Sequence, residues 1–336
     1  MYYSTNKTSN ILSSTATALL FLAIAVMLIV MDRSTLLDND NYIEAFRGDR
    51  FIYIWDLLRE NMTIEILALV FFSEELIWLA FTKLIAEIFS PEVSVYILAL
   101  LVNFFMFLGC LKTDKPIVAA LLWLVMPVGL TVTGLFQLRQ GLAYSLFFYG
   151  TYCLKPGKFG MLSCGIHTTL VIPYIFYMVD MFFSRNRSWL IPAAFAALLS
   201  LIMAIIGGSF FETFGGRRLE SYSIDDGADS INYVISALLF AAFYLSNYAY
   251  HYTGKGAATR IFSLAGFGVS VFVIASFYLF PIGTSRVGYF LMLFSLPLLS
   301  EFGALNLTKF REPRVASGVL VILFIAYQAI KALVAN

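Results

Sequence analysis

Long apolar stretches separated by short polar ones recur along the whole chain. The clearest run roughly over Thr15–Met31, Val93–Cys110, Pro116–Phe136, Gln140–Leu154, Ser188–Gly207, Ile231–Tyr250, Ala258–Phe280, Val287–Phe302 and Val315–Val334. A helix needs about 20 consecutive apolar residues to cross a bilayer. These stretches approach or reach that length, and none alternates with period two as a barrel strand does. The pattern predicts an all-α, polytopic integral membrane helical bundle. Two stretches are less regular: Met161–Phe183 is interrupted by His167 and Pro173, and Thr63–Phe89 by Ser73, Glu74 and Glu75. In the second, "EELIWLAFTKLIAEIF" places Glu75, Thr82, Lys83 and Glu87 on one helical face, with Leu, Ile, Trp and Phe opposite. That spacing predicts an amphipathic helix lying at the membrane surface.

Basic residues in short loops mark the cytoplasmic side. Here they cluster as Lys112/Lys115, Lys155/Lys158, Arg185/Arg187, Lys255/Arg260 and Lys309/Arg311/Arg314. With all of these inside, the N-terminus is inside and Thr15–Met31 is a retained signal-anchor helix. Residues 32–91 then form an outer loop with amphipathic helices, and 209–230 a second outer loop, within one transmembrane domain spanning 1–336. On this reading 63–89 does not cross, and 161–183 must dip in and return or break the rule.

Composition supports the membrane assignment: of 336 residues, 60% are hydrophobic and only 13% charged, with a net charge of +1. No basic stripe suggests nucleic-acid binding. Cys110, Cys153 and Cys164 fall in or beside apolar runs without metal spacing and read as small core residues. There is no P-loop, dinucleotide fingerprint, HExxH or Gly-x-Ser-x-Gly, so the usual machinery for ATP hydrolysis, hydride transfer and zinc proteolysis is missing. The expected activity uses an already activated substrate, without cofactor or metal, or is transport. Asp225, Asp226 and Asp229 lack EF-hand spacing.

The outer face of this topology holds the candidate residues. Arg139 opens a helix, where the positive end of the helix dipole adds to its guanidinium, a good place for a phosphate or diphosphate. The bland alternative is an arginine that snorkels into lipid headgroups. Arg286, after a Pro-Gly turn, has the same two readings. His167, in "SCGIHTTLVIPY", is an ionisable residue in an apolar setting. It is either a general base or a core histidine bonded to a carbonyl. His251, in a basic loop, reads as a solvated loop residue. Asp38 and Asp40, just past the first helix, would bind a polar substrate or simply start a helix, with Asp40 or Asn41 as its cap. Arg217 and Arg218 in the second outer loop are candidates for an acidic or phosphorylated ligand.

These elements resemble one family in their order. The motifs are Asp38-Asn39-Asp40-Asn41-Tyr42 with Phe46, then Glu74-Glu75 leading an amphipathic helix, then Arg139-Gln140-Gly141-Leu142-Ala143. His167-Thr168-Thr169-Leu170 follows, and Arg286 with Tyr289-Phe290 comes last. The chain resembles, from about Leu37 to Phe290, the EpsG-like group of bacterial polysaccharide polymerases, similar to Wzy-type O-antigen polymerases. It departs in reading His-Thr-Thr where the family pattern is closer to His-Ser-Ala. The resemblance implies a GT-C-like bundle of about 10–12 membrane helices in the bacterial inner membrane, with its active site facing the periplasm. It implies an undecaprenyl-diphosphate-linked glycan donor, a lipid-linked acceptor and a chain-length regulator as a possible membrane partner. In that frame His167 is the expected base, with Asp40 or Glu75 as rivals, and Arg139 and Arg286 hold the diphosphate. Asp38, Tyr42, Glu74, Glu75, Gln140, Arg217, Arg218, Tyr222 and Tyr289 line the substrate site.

Competing readings are an O-antigen ligase, a flippase or transporter of lipid-linked sugars, and a membrane acyltransferase. Short late outer loops argue against a ligase. No repeat of the Arg-Gln or His motif supports a transporter. The candidate residues face away from a cytoplasmic acyl donor.

Overall fold

The computed structural model describes residues 3–32, 39–47, 49–60, 63, 70, 75–153, 155–184, 188–214, 230–252, 256–279, 281–301 and 312–334. These are almost entirely helical, with no strand among them. The chain divides into two compact units, Met1–Leu124 with Gly129–Leu170, and Val125–Val128 with Val171–Asn336.

The first unit begins with α1 (Tyr3–Val30), α2 (Asn39–Phe46), α3 (Asp49–Glu60), α4 (Leu76–Ala86), α5 (Pro91–Cys110) and α6 (Pro116–Val125). It continues through a π-helical segment, Val128–Phe136, to α7 (Leu138–Tyr152), α8 (Pro156–Ile166) and a 3-10 turn, Thr168–Leu170. Helix α5 starts cleanly: Ser90 caps it by accepting from the Val93 N–H at 3.4 Å, and Pro91 occupies the first turn. The core of the unit is α7, whose residues from Gln140 to Phe148 are all buried. It packs on both α5 and α8. Glycine lets α7 approach the π-helical segment as well: a Cβ on Gly141 would lie 2.1 Å from the Thr133 carbonyl oxygen. Backbone cannot yield as a side-chain tip can, so Gly141→Ala is expected to destabilise by about 1–3 kcal/mol. A lower thermal unfolding midpoint in detergent is the measurement, and an unchanged midpoint contradicts the close approach.

The second unit contains α9 (Val171–Phe183), α10 (Leu190–Phe214), α11 (Ser230–His251), α12 (Ala257–Leu279), α13 (Pro281–Glu301) and α14 (Pro313–Val334). Helix α12 is its centre, packed by α9, α10, α11 and α13.

Among the described residues six helices are individually long and apolar enough to cross a membrane: in α1, α5, α10, α11, α12 and α14. The protein is therefore a multi-pass helical membrane protein. The expected continuous span 116–136 is broken instead: α6 and the π-helical segment are bent by 71°. Pro127 supplies the reason, since it donates no hydrogen bond and disfavours helical backbone at Met126. Gly129 then takes a non-helical φ of −75° and ψ of −114°. Helix α4 has 11 residues, about 16 Å of rise, roughly half the hydrocarbon thickness.

Candidate functional site

Chain ends of three helices in the first unit converge on one carboxylate. Glu75 precedes α4, Arg139 lies in the first turn of α7, and His167 follows α8. Glu75 adopts left-handed backbone, φ 53° and ψ 67°, the one positive-φ non-glycine residue among those described. Such backbone costs about 1–2 kcal/mol for an L-residue. Strain of this kind persists where surrounding contacts over-determine it.

Those contacts are present. The Glu75 side chain is 0% exposed and its Oε2 lies 2.8 Å from Arg139 Nη1. Its Oε1 lies 3.2 Å from His167 Nδ1. The Thr168 backbone N–H donates to the same oxygen at 3.0 Å, and the Thr168 hydroxyl at 3.2 Å. A buried carboxylate is expensive unless it is paired and hydrogen-bonded, and here both conditions hold. His167 is also buried, and its Nδ1 lies 3.2 Å from the Thr169 hydroxyl. The ring hangs from extended backbone, φ −146° and ψ 114°, where α8 stops. Packing brings these ends together: a Cβ on Gly165 would lie 2.1 Å from the Ile77 side chain, so α4 and α8 touch through a residue with no side chain.

Arg139 is the open member. Its side chain is 28% exposed, and its guanidinium carbon lies 5.9 Å from the Trp78 ring centroid, within cation–π range. The Arg139 backbone N–H donates to the Tyr42 hydroxyl at 3.2 Å. Tyr42 and Phe46 from α2 each meet Trp78 edge-on with centroids 6.2 Å apart. Tyr42 thereby fastens α2 to the start of α7. The arrangement joins an anion-binding guanidinium at a helix N-terminus to an imidazole suited to proton transfer.

Of the residues singled out from the sequence, Tyr42, Glu75, Arg139 and His167 come together. Asp40 lies in the first turn of α2, exposed, inside the helix rather than capping it. Gln140 is buried, and its Nε2 has no hydrogen-bond partner among the described residues. Arg286 and Tyr289 lie on α13 of the second unit, and the Arg286 side chain is outside the described residues. Asp38, Glu74, Arg217, Arg218 and Tyr222 also lie outside them, as do Asp225, Asp226 and Asp229. The expected polar face of 74–89 divides. Glu75 and Thr82 are buried, while Lys83 and Glu87 form an outward i,i+4 pair at 3.8 Å. Left-handed backbone at Glu75 takes it off the helical wheel that grouped it with Lys83. Thr168, Thr169 and Trp78 were missed as members. The helical wheel set Trp78 opposite Glu75, so no local signal joined the two.

The second unit holds a charged cluster in which Arg260, expected in a basic loop, lies within α12 and pairs with Asp180. Asp180, buried on α9, accepts two bonds from Arg260 Nε, at 3.0 and 3.2 Å, and one from Nη2 at 3.1 Å. The Tyr248 hydroxyl donates to it at 3.3 Å. The signal was a lone aspartate in "VIPYIFYMVDMFF". His251 was expected to be a solvated loop residue. It instead ends α11 with its side chain 11% exposed and Nε2 3.4 Å from Glu301 Oε2. The helix runs to that residue, which brings it against the end of α13. Among the described residues no three His, Cys, Asp or Glu side chains group as a metal site.

Compared with known proteins, the model of the EpsG family matches residues 4–336. No curated protein and no solved structure matches the chain.

Proposed function

The chain belongs to the EpsG family, and from that premise we propose that it is a membrane glycosyltransferase that polymerises lipid-linked repeat units of a surface polysaccharide. The donor in this reading is an undecaprenyl-diphosphate-linked glycan, and the acceptor a hydroxyl of a second lipid-linked unit. The reaction lies at the periplasmic face of the inner membrane. The observation that carries the reading is one buried carboxylate holding a guanidinium and an imidazole in the same place. Those two groups meet the two demands of the reaction. An anionic diphosphate must be stabilised as it leaves, and an acceptor hydroxyl must lose its proton.

The acceptor oxygen attacks the anomeric carbon of the donor and forms the new glycosidic bond. The bond from that carbon to the diphosphate oxygen breaks, and the diphosphate departs with the electron pair. The acceptor proton passes to His167. Arg139 stabilises the departing charge, and Arg286, near the start of α13, is a separate candidate for an anionic group. Direct attack inverts the anomeric centre. Energy stored in the sugar–diphosphate bond drives the step, consistent with a chain that carries no nucleotide-binding fingerprint. Asp38, Asp40, Tyr42, Glu74, Gln140, Arg217, Arg218, Tyr222 and Tyr289 are each proposed as substrate contacts.

Deletion of the gene is expected to leave a single-repeat band in place of the polysaccharide ladder on a gel. Wild-type protein restores the ladder, and Arg139→Ala, made in wild-type amounts, does not. Loss of every repeat-bearing band on deletion would turn the reading to a ligase or a flippase. A normal ladder with both Arg139→Ala and Arg139→Lys would remove Arg139 from the site.

A further inference from the structure

Glu75 does more in this arrangement than compensate a charge. Its two oxygens face different partners. Oε2 faces Arg139, while Oε1 faces His167 Nδ1 and both Thr168 donors. The halves of the contact are therefore separable. If Arg139 turns toward another anion, Oε1 keeps its three donors, and the carboxylate is not left orphaned in a buried place. Arg139 is able to turn, because its side chain is 28% exposed while Glu75 is held by its other donors. The rest of the guanidinium fork has further N–H donors to offer.

The geometry points to Glu75 as a positioning residue that holds the anion place on Arg139 before substrate binds and yields it to an anionic substrate group. On that exchange its charge faces His167 and the two Thr168 donors. This rests on the functional reading above and deepens it. Two consequences follow from electrostatics. First, Glu75 competes with the substrate's diphosphate for Arg139, so ground-state binding is weaker than it would be without the carboxylate. Second, a proton on Nδ1 directed at Oε1 leaves Nε2 as the nitrogen with the lone pair. A carboxylate released from Arg139 stabilises the imidazolium that forms when Nε2 takes the acceptor proton. Donor binding and base strength are thereby coupled through one side chain.

The test uses the full-length protein in lipid nanodiscs with its lipid-linked repeat unit. Initial rates of lengthening are measured with inorganic pyrophosphate as a competing anion. Glu75→Gln keeps the size of the side chain and removes its charge. The expected result is opposite movement of two constants. The Ki of pyrophosphate and the KM for the lipid-linked substrate fall about fivefold, the loss of a competitor worth about 1 kcal/mol. At the same time kcat falls about 100-fold. A residue that merely supports the fold would not tighten anion binding. An unchanged or raised Ki overturns the inference while leaving the polymerase reading in place, and so does a normal kcat. Glu75→Asp is read where Glu75→Gln does not accumulate. Its shorter stem draws the carboxylate back from Arg139, so Ki again falls, with a smaller loss of kcat. An equal or higher Ki there overturns the inference as well. Absence of any lengthening by the wild-type protein overturns the functional reading and this inference with it.

Discussion

Asparagine in place of His167 is expected to lower the rate of polysaccharide lengthening by about 10²–10⁴-fold. The substitution is chosen for geometry. The asparagine amide nitrogen lies close to the position of Nδ1, so it can still donate toward Glu75 Oε1, now 3.2 Å from Nδ1. The contact that satisfies the buried carboxylate is kept, and the ring nitrogen that would accept the acceptor proton is removed. Thermal unfolding should therefore move little, whereas the rate per mole of folded protein collapses. Alanine at the same position confounds these effects, since it leaves Oε1 with fewer donors and opens a hole where a buried ring stood. A wild-type rate with His167→Asn would exclude His167 as the base. Attention would then pass to Asp40, which is exposed in the first turn of α2.

The largest stability effect is expected at Asp180, away from the proposed chemistry. Asp180→Leu with Arg260 intact should lower the apparent unfolding free energy by about 3–5 kcal/mol. Arg260 would lose a partner whose two oxygens it now meets at 3.0–3.2 Å, with its side chain only 17% exposed. The Tyr248 hydroxyl would lose its acceptor as well. The double variant Asp180→Leu/Arg260→Met removes both charges together. It should recover most of the loss, because a buried pair contributes little net stability while an unpaired buried charge is costly. Denaturant titration of the purified protein in detergent, read as a double-mutant cycle, makes the measurement. Simple addition of the two single effects would show that the ion pair does not couple α9 to α12.

How far the sequence leads differs between the two kinds of feature. Helices α5, α11, α12 and α14 fall within two residues of the apolar stretches that foretold them. Burial in lipid or protein demands a continuous apolar run, and such a run is visible locally. The bend after α6 was half visible, since Pro127 and Gly129 lie in plain view. The π-helical path taken beyond them depends on packing against neighbours. Arg139 was rightly placed at a helix start, because the polar pair Arg139-Gln140 interrupts an apolar run. Glu75 was placed on a solvent-facing surface, because a helical wheel assumes helical backbone at every position, and residue 75 has φ 53°.

Sequence alone thus determined the membrane character, the bounds of α5, α11, α12 and α14, and the unusual placing of Arg139 and His167. Hydropathy and charge are properties of each residue and its near neighbours, so they can be read along the chain. Only the tertiary structure decided that Glu75, Arg139 and His167 share one contact, and that Asp180 answers Arg260. Those partners stand 64, 92 and 80 positions apart (75 to 139, 75 to 167 and 180 to 260). Contacts over such separations arise from helix packing, and no local pattern records which helix ends will meet.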